Sequence, residues 1–318
     1  MFTKFKRGNR FAVASLAYLS VLFLIALIVA AFVKSNSHFK QVVLSEMQED
    51  YTWTLLVTGD VMLGRTVNTR TIQKNDFAWA FKNTADFLKS ADLTFINLES
   101  PLVENCPQTD TGMIFCEDVR HVEGLKFASI DIASVANNHS LNYGEKGLKN
   151  TKEILQSEGV LPVGITNPKY TKVKGIKIAL LGFDDVECYP NYIECAGEEN
   201  VKNDIKEASQ NSDLVIVMFS WGVEYTDSPN KRQVDLAHLA IDSGADLILG
   251  NHPHWIQPEE IYKGKLIKYS HGNFIFDQMW SEETRKGVIG KYTFKGTELE
   301  DHEYVSVKIY DYGQPAFE

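Results

Sequence analysis

The sequence predicts an α/β fold, with α+β character near its C-terminal end, for most of this 318-residue chain. From residue 53 onward, apolar runs alternate with segments of helical periodicity. The runs are continuously apolar, which is typical of strands covered on both faces in largely parallel sheets. Residues 287–294 and 303–310 instead alternate with no helix between them. This last pair predicts antiparallel strands that close a sheet.

The segment before this domain is strongly apolar. Residues 11–33 carry no charge, and these 23 residues as a helix would cross a bilayer core of ~30 Å. Four Lys and Arg residues lie between positions 4 and 10, which places that end in the cytoplasm. We therefore predict a single-pass cell-membrane protein with a cytoplasmic tail (1–10), a transmembrane signal anchor (11–33), a stalk (34–52) and an extracytoplasmic domain (53–318).

Two other interpretations of residues 11–33 are less favoured. A cleaved signal peptide has an apolar region of only ~7–15 residues and a small-residue cleavage site, whereas the segment Ala31–Lys34 lacks an A-x-A pattern. A buried core helix of this length would normally show one polar face. An uncleaved anchor remains the prediction.

The elements of the domain follow in order from the two periodicities. Strands are predicted at 54–63, 93–99, 130–139, 176–183, 214–221, 247–252 and 266–276. Helices are predicted at 76–90, 144–158, 199–211 and 231–243.

Cysteine content and charge agree with export. The four cysteines form two close pairs in the sequence, Cys106 with Cys116 and Cys188 with Cys195. Three connectivities are open, and local pairing is the simplest in an oxidising compartment. Beyond residue 34 the chain has 27 basic and 42 acidic residues, a formal charge of −15. That charge argues against a nucleic-acid partner, although a bound cation could still attract an anionic substrate.

Polar residues follow the apolar runs at the points where the predicted strands end. They are Gly59-Asp60, Asn97-Leu98-Glu99, Asn137-Asn138-His139, Glu224-Tyr225, Asn251-His252-Pro253-His254 and Gly272-Asn273. The carboxyl ends of parallel strands meet at one edge of a sheet, where ligands bind. One such residue alone is more often a turn or cap residue. Together, oxygen and imidazole donors from separate strands predict a metal site.

The ordered motifs GDVMLGR, NLESPL, ANNHSLNYGEKGL, WGVEY, GNHPHWIQ and SHGNFIFD resemble the CapA family of poly-γ-glutamate capsule proteins. They cover residues 55 to about 277, nearly the whole predicted domain. The family is related to calcineurin-like metallophosphoesterases. The resemblance therefore implies a four-layer α-β-β-α sandwich and a centre for one or two divalent metal ions, with Mn, Zn or Fe as candidates.

The resemblance also assigns roles to individual residues. Asp60 would bind one metal ion, and Glu99 lies near the position of the bridging acid. Asn138 would bind the second ion, and His139 would protonate a leaving oxygen. His252 and His254 match the paired histidines, one for each metal ion. Among residues for substrate binding we include Arg65, Glu224, Tyr225 and Asn273, each with a structural alternative such as a salt bridge, helix start or turn.

Four positions depart from the phosphoesterase pattern. Met62 stands where a histidine is expected, and Ser220 stands where relatives commonly have histidine. Asn142 replaces an aspartate, and Asn251 replaces a histidine. Because thioether and hydroxyl groups are weak ligands for these ions, full dinuclear occupancy is in question. One ion held by Asp60, Glu99 and His254, or by Asn138 and His252, is the reduced alternative.

Three functions are compatible with these residues. The first is a metal-dependent hydrolase or transferase acting on an anionic surface polymer, with poly-γ-glutamate implied by the resemblance. The second is a non-catalytic subunit of a membrane polymer synthase. The third is a general extracytoplasmic phosphoesterase. Metal-dependent turnover that requires Asp60 and His139 separates the first function from the second.

Overall fold

A computed structural model describes residues 52–166 and 168–318. The predicted tail, the anchor at 11–33 and nearly all of the stalk lie outside the described residues. Within the described residues, no helix is both long enough and apolar enough to cross a membrane.

Sixteen strands and six α-helices make up the part of the chain that the structure describes. The strands are β1 (Thr52–Val61), β2 (Leu93–Leu98), β3 (Leu102–Val103), β4 (Glu117–Asp118), β5 (Ile132–Ser134), β6 (Leu161–Val163), β7 (Lys169–Val173), β8 (Ile176–Asp184), β9 (Leu214–Ser220), β10 (Leu247–Asn251), β11 (Ile256–Tyr262), β12 (Lys265–His271), β13 (Asn273–Ile275), β14 (Lys286–Lys295), β15 (Glu298–Tyr310) and β16 (Gln314–Phe317). The helices are α1 (Arg65–Lys74), α2 (Ala85–Leu88), α3 (Val122–Phe127), α4 (Gly144–Ser157), α5 (Glu198–Asn211) and α6 (Lys231–Asp242), with 3₁₀ turns at Trp79–Phe81 and Val119–His121.

The strands form two large mixed sheets. The first has the order β16-β15-β14-β1-β2-β5-β6, with β13 paired beside the end of β1. Its strands β1, β2, β5 and β6 are parallel, whereas β14, β15 and β16 are antiparallel. The second sheet has the order β11-β12-β10-β9-β8-β7, with a parallel centre and an antiparallel strand at each edge.

Three large apolar clusters hold most of these elements together. One joins the two sheets and includes Leu55 and Phe95 from the first sheet and Ile216 and Leu249 from the second. Another packs the helices of the N-terminal half on the first sheet, and a third packs α5 and α6 on the second. Each strand of the parallel centres is therefore covered on both faces, as its continuous apolar sequence requires.

The chain crosses from the second sheet to the first between β12 and β13. Gly272 makes the turn with φ +71°, a conformation that favours glycine. Its carbonyl accepts a hydrogen bond of 2.9 Å from the N–H of Asp60. A Cβ at Gly59 would lie 2.2 Å from the Gly272 oxygen, so this close approach also requires glycine. The crossing brings the ends of both sheets together around Asp60.

Most of the predicted elements are confirmed, with three corrections. The mixed α/β class, the helices near 144–158, 199–211 and 231–243 and the antiparallel closing pair are present. The predicted helix at 76–90 is wrong. Asn75, with φ +47°, ends the preceding helix α1, and only the turn Trp79–Phe81 and the short α2 follow. The predicted strand at 130–139 is only Ile132–Ser134, and the one at 266–276 is divided at Gly272.

Both cysteine pairs form the local connectivity. Disulfides join Cys106 to Cys116 and Cys188 to Cys195, and neither of these pairs leaves a free thiol. The first disulfide closes a loop beside α1. The second lies next to the end of β8, where the backbone of Cys195 forms an isolated parallel β-bridge with that of Asp184.

Candidate metal centre

The polar residues at the strand ends converge at the edge where the two sheets meet. Asp60, near the end of β1, is in register with Asn97 of β2 on one side and with Asn273 of β13 on the other. From the second sheet, β10 ends at Asn251 and leads directly into His252. The expectation that parallel strand ends would collect these groups is thus met by the topology.

Asp60 is fully buried and lies at the centre of this cluster. It accepts hydrogen bonds from Asn97 Nδ2 at 2.9 Å, from His254 Nδ1 at 3.0 Å and from the His252 N–H at 3.3 Å. Burial would raise the pKa of this carboxyl, but the contacts with His254, Asn97 and His252 outweigh it and hold the pKa below its usual range. Asp60 is therefore an anion at neutral pH, as a metal ligand must be.

Glu99 is the second buried acid of the site. Its Oε1 accepts a hydrogen bond of 2.8 Å from Asn97 Nδ2, the same amide group that donates to Asp60. Burial, together with the charge of nearby Asp60, raises the pKa of Glu99 well above its usual range. Two buried carboxyl groups this close repel each other unless a cation or a proton lies between them.

His252 and His254 come from a tight turn after β10. Both have positive φ, +92° and +60°, a backbone conformation that costs energy in non-glycine residues and is concentrated at functional sites. His254 Nδ1 lies 3.0 Å from Asp60 Oδ2 and 3.0 Å from Asn273 Oδ1. Since both neighbours are acceptors, Nδ1 carries the hydrogen and Nε2 keeps its lone pair for a ligand. Burial lowers the pKa of His252 to about 3, so its ring is neutral.

His139 lies on the loop after β5 in a mostly buried position. Its Nδ1 lies 3.0 Å from Asn142 Oδ1 and therefore donates, while Nε2 lies 3.2 Å from Asn138 Nδ2 and accepts. Burial lowers the pKa of His139 to about 4, with only partial compensation by Asn142. The predicted role as proton donor thus requires an anionic substrate that raises this pKa, because the ring is neutral at pH 7.

The described residues contain two groups of side chains with metal-ligand geometry. Asp60, Glu99 and His254 form one, and Glu224, His252 and His254 form the other; in each, the ligand atoms lie within 4.8 Å of one another. The first is the ligand set predicted for a single ion.

Several atoms of this site that could bind a metal ion are buried and have no hydrogen-bond partner among the described residues. They are Glu99 Oε2, Asn138 Oδ1, Asn251 Oδ1 and His252 Nδ1. Buried polar atoms nearly always have a partner, so their concentration at one place marks a position where a cation or an ordered water would bind. Carboxylate, amide and imidazole donors in this number fit a divalent cation of the borderline class.

The four departures from the phosphoesterase pattern occupy definite positions. Met62 packs in an apolar cluster with Phe115 and Phe276, and its Sδ accepts a hydrogen bond of 3.1 Å from the Gly64 N–H. Ser220 ends β9 beside Asn251. Asn142 uses its Oδ1 for both His139 and the Phe115 N–H, at 3.0 and 2.7 Å. Met62 is therefore a packing residue, and Asn142 orients His139 without adding a charge.

The residues predicted to bind substrate divide into two groups. Arg65 is buried, forms an ion pair with Asp277 and donates to the Gly112 carbonyl at 3.0 Å. Asn273 is fully buried and donates to Gln278 and Thr284, while its oxygen faces His254. These two side chains position other groups of the protein, and their predicted substrate contacts remain predictions.

Glu224 and Tyr225 lie at the open side of the centre. The ring of Tyr225 lies 6.0 Å from that of His254 and 6.1 Å from that of Trp280, whose side chain is 62% exposed. Arg65, Met113 and Trp280 line a surface groove of about 560 Å³, which Tyr225 adjoins through its ring contact with Trp280. The groove therefore lies next to the Tyr225 side of the centre.

The sequence motifs assigned no individual role to two residues that organise the site. Asn97 donates to both Asp60 and Glu99, and its oxygen accepts from Asn137 Nδ2 at 3.1 Å. Asn137 in turn donates to the Leu98 carbonyl at 2.8 Å. Both residues lie within the strand-end motifs, so the pattern that identified Glu99 and Asn138 also contains them.

Solved structures with related folds include two with TM-scores of 0.54. One is a hypothetical protein from Thermus thermophilus, 16% identical, with 81% of this chain and 100% of that chain covered. The other is a novel phosphatase from Mycoplasma pneumoniae, 14% identical, with 81% and 94% covered. At these identities the similarity concerns the fold alone.

Comparison of sequences gives a narrower result. The chain is 33% identical over 271 residues to the PGA biosynthesis protein CapA of Bacillus subtilis (strain 168), covering 80% of this chain and 70% of the relative. It is 31% identical to the capsule biosynthesis protein CapA of Bacillus anthracis, covering 80% and 67%. Residues 54–278 match the family model described as bacterial capsule synthesis protein PGA_cap. The chain therefore belongs to the PGA_cap family of bacterial capsule synthesis proteins.

Proposed function

We propose that the chain is a membrane-anchored capsule synthesis protein whose extracytoplasmic domain acts, through a metal-dependent site, on an anionic surface polymer such as poly-γ-glutamate. In this proposal residues 11–33 are the anchor, and the described domain is a four-layer α-β-β-α sandwich. The observation that carries the proposal is the convergence of Asp60, Glu99, His252 and His254 with unpartnered donor atoms at one sheet edge.

The charge of the domain supports a role for a cation. Asp60, Glu99 and Glu224 surround the centre, and Arg65 is already paired with Asp277. An anionic polymer would be repelled by the carboxylates of Asp60 and Glu224 unless a cation at Asp60, Glu99 and His254 reverses the local field. A divalent ion held there would polarise the bond to be cleaved and lower the pKa of attacking water.

Side chains of the protein would orient the ligands, transfer the proton and bind the polymer. Asn97 and Asn273 orient Asp60 and His254, and Asn142 fixes His139 with Nε2 facing Asn138. His139 would take a proton at Nε2 or return it to the leaving group. Tyr225 and the groove beside Trp280 would hold the polymer.

The test uses the full chain, purified in mild detergent, and compares it with Asp60→Asn and His139→Gln. The controls are Asp86→Asn and His302→Gln, which change the same residue types at solvent-accessible positions outside the site. We expect bound Mn, Zn or Fe to be lost in Asp60→Asn, with metal-dependent cleavage of γ-glutamyl polymer lost in both site variants. A folded protein that binds none of these metals would contradict the proposal.

A second candidate is a non-catalytic subunit of a polymer synthase complex. It is favoured by Met62, which packs in an apolar cluster, and by Ser220, which cannot supply an imidazole. Relatives that are 25% identical include a probable polyglutamine synthesis accessory protein of Mycobacterium tuberculosis. Polymer export that continues in cells carrying Asp60→Asn, with a membrane partner that copurifies, would favour this candidate.

A further inference from the structure

Glu224 occupies a position that the sequence assigned to substrate contact. It lies in the turn after β9 and is half-buried. One oxygen of its carboxylate and one ring nitrogen each of His252 and His254 lie within 4.8 Å of one another. The carboxylate therefore belongs to the same cluster as the two histidines.

The backbone holds this turn against the histidine turn. The Trp221 N–H donates to the Asn251 carbonyl at 3.2 Å, and the Tyr225 N–H donates to the Pro253 carbonyl at 2.8 Å. The Trp221 indole also donates to the Tyr269 carbonyl at 2.9 Å. Glu224 lies between these anchored residues, so its position relative to His252 is set by the fold.

An independent observation points to a ligand at this place. His252 is only 4% exposed, and its Nδ1 has no hydrogen-bond partner within residues 52–166 and 168–318. A buried imidazole nitrogen that has no partner of its own, beside a carboxylate and a second imidazole, has the environment of a metal ligand.

We propose that Glu224 is a metal ligand which, together with His252, holds a second divalent cation beside the one bound by Asp60, Glu99 and His254. Glu224 supplies the metal-ligand atom that a histidine at position 220 would have offered and that Ser220 does not. It lies four residues further along the chain than Ser220. Because this replaces an imidazole nitrogen by a carboxylate oxygen, the second site favours harder cations such as Mn²⁺ over softer ones. The inference rests on the proposed metal-dependent function.

The experiment measures the number of bound Mn²⁺ ions in the metal-stripped full chain, by titration calorimetry and elemental analysis. The variants are Glu224→Gln, Asp60→Asn and Asp227→Asn. The last is a matched control, because Asp227 lies three residues further in the same turn, where its carboxylate accepts a hydrogen bond from Ser228. We expect two equivalents in the unmodified chain and in Asp227→Asn. In Glu224→Gln the second equivalent should be lost or weakened about ten-fold or more.

Electron paramagnetic resonance gives a readout that does not depend on activity. The spin-coupled Mn²⁺ pair of the unmodified chain should become an isolated Mn²⁺ signal in Glu224→Gln, with circular dichroism confirming the fold. Glu224→Asp, which keeps the carboxylate, should retain part of the coupled signal. The inference would be overturned if Glu224→Gln bound Mn²⁺ with the same stoichiometry and affinity as the unmodified chain. It would also be overturned if the unmodified chain bound a single Mn²⁺ ion that is lost in Asp60→Asn and kept in Glu224→Gln. An unmodified chain that binds no metal would instead overturn the proposed function as well.

Discussion

Asp60 Oδ2 and His254 Nδ1 lie 3.0 Å apart although 194 positions separate them in the chain. The contact joins the end of β1 in the first sheet to the turn after β10 in the second. Both side chains are at least 98% buried, so neither can exchange this partner for water. The candidate site is therefore also a structural connection between the two sheets.

Replacing His254 by alanine should destabilise the metal-free protein by roughly 2–3 kcal/mol, because Asp60 and Asn273 would each lose a donor in a buried place. Urea unfolding of the metal-free chain measures the difference. His238→Ala is the control, since that histidine pairs with Glu260 on a half-exposed helix face and should cost less than about 1 kcal/mol. Equal losses in the two variants would contradict the connecting role of His254.

Glu99→Gln should make the stability of the metal-free protein less sensitive to a rise in pH above about 4.5. Burial and the charge of Asp60 raise the pKa of Glu99, so the folded state binds a proton that the unfolded state releases. The stability of the unmodified chain should therefore fall as the pH rises above the ordinary carboxyl pKa of 4.5, and the variant should lack this contribution.

Thermal unfolding from pH 5 to 9, without metal, measures this difference. The melting temperature of the unmodified chain should decrease more steeply than that of Glu99→Gln, and added Mn²⁺ should restore stability only in the unmodified chain. Parallel curves for the two proteins would show that Glu99 does not carry a raised pKa.

Asn142→Asp tests how the environment sets the protonation of His139. Burial lowers the pKa of His139 to about 4, and the neutral amide of Asn142 compensates only in part. A carboxylate 3.0 Å from Nδ1 would stabilise the imidazolium and raise this pKa to roughly 5 or above. Titration of the imidazole signals by NMR measures it, and an unchanged pKa would contradict the assignment of Asn142 as the partner of His139.

The sequence was sufficient for the parts of the fold that depend on periodicity. Strands β8, β9 and β10 are continuously apolar because they are covered on both faces, and helices α4, α5 and α6 have regular apolar stripes. Helix α1 was missed because its sequence, RTVNTRTIQK, is mostly polar. The edge strand β11 was missed because IQPEEIY is largely exposed and contains a proline.

The sequence predicted which residues belong to the site, but not which of them contact one another. Strand ends identified Asp60, Glu99, His252 and His254, because parallel strands present their carboxyl ends at one edge. The crossing at Gly272, which inserts Asn273 beside Asp60, depends on a long-range pairing that no local pattern encodes. For the same reason the position of Glu224 near the histidines could not be read from the sequence.

The Cys106–Cys116 disulfide should support His139 as well as overall stability. It closes a loop of 10 residues, which by loop entropy contributes roughly 2–3 kcal/mol. Within this loop the ring of Phe115 lies 4.0 Å from that of His139. Replacing both cysteines by serine should therefore lower stability and shift the NMR signals of His139.

The Cys188–Cys195 disulfide provides the matched control for this prediction. Its loop spans 7 residues, so its removal should cost a similar amount of stability. It lies at the end of β8 and not against Phe115, so the His139 signals should stay in place. A shift of those signals in both double variants would mean that the effect is general loosening of the fold.

Acid should destabilise the protein through His271. This fully buried ring donates from Nδ1 to the Gly250 carbonyl at 3.1 Å and accepts at Nε2 from the Tyr292 hydroxyl at 2.9 Å. Burial, and next the charge of Lys268, lower its pKa to about 3, from 6.5 in the unfolded chain. Because the folded pKa is depressed, the stabilisation is complete above pH 6.5 and is lost as the pH falls, amounting to roughly 2–3 kcal/mol by pH 4.5.

Urea unfolding between pH 7 and 4.5 checks this contribution of His271. His271→Gln keeps a donor and an acceptor without titrating, so it should lose less stability over this range than the unmodified chain. His302→Gln, at a solvent-accessible position on β15, should behave like the unmodified chain. If His271→Gln lost the same stability, the acid sensitivity would have to come from other buried groups such as His121, whose pKa burial also lowers to about 3.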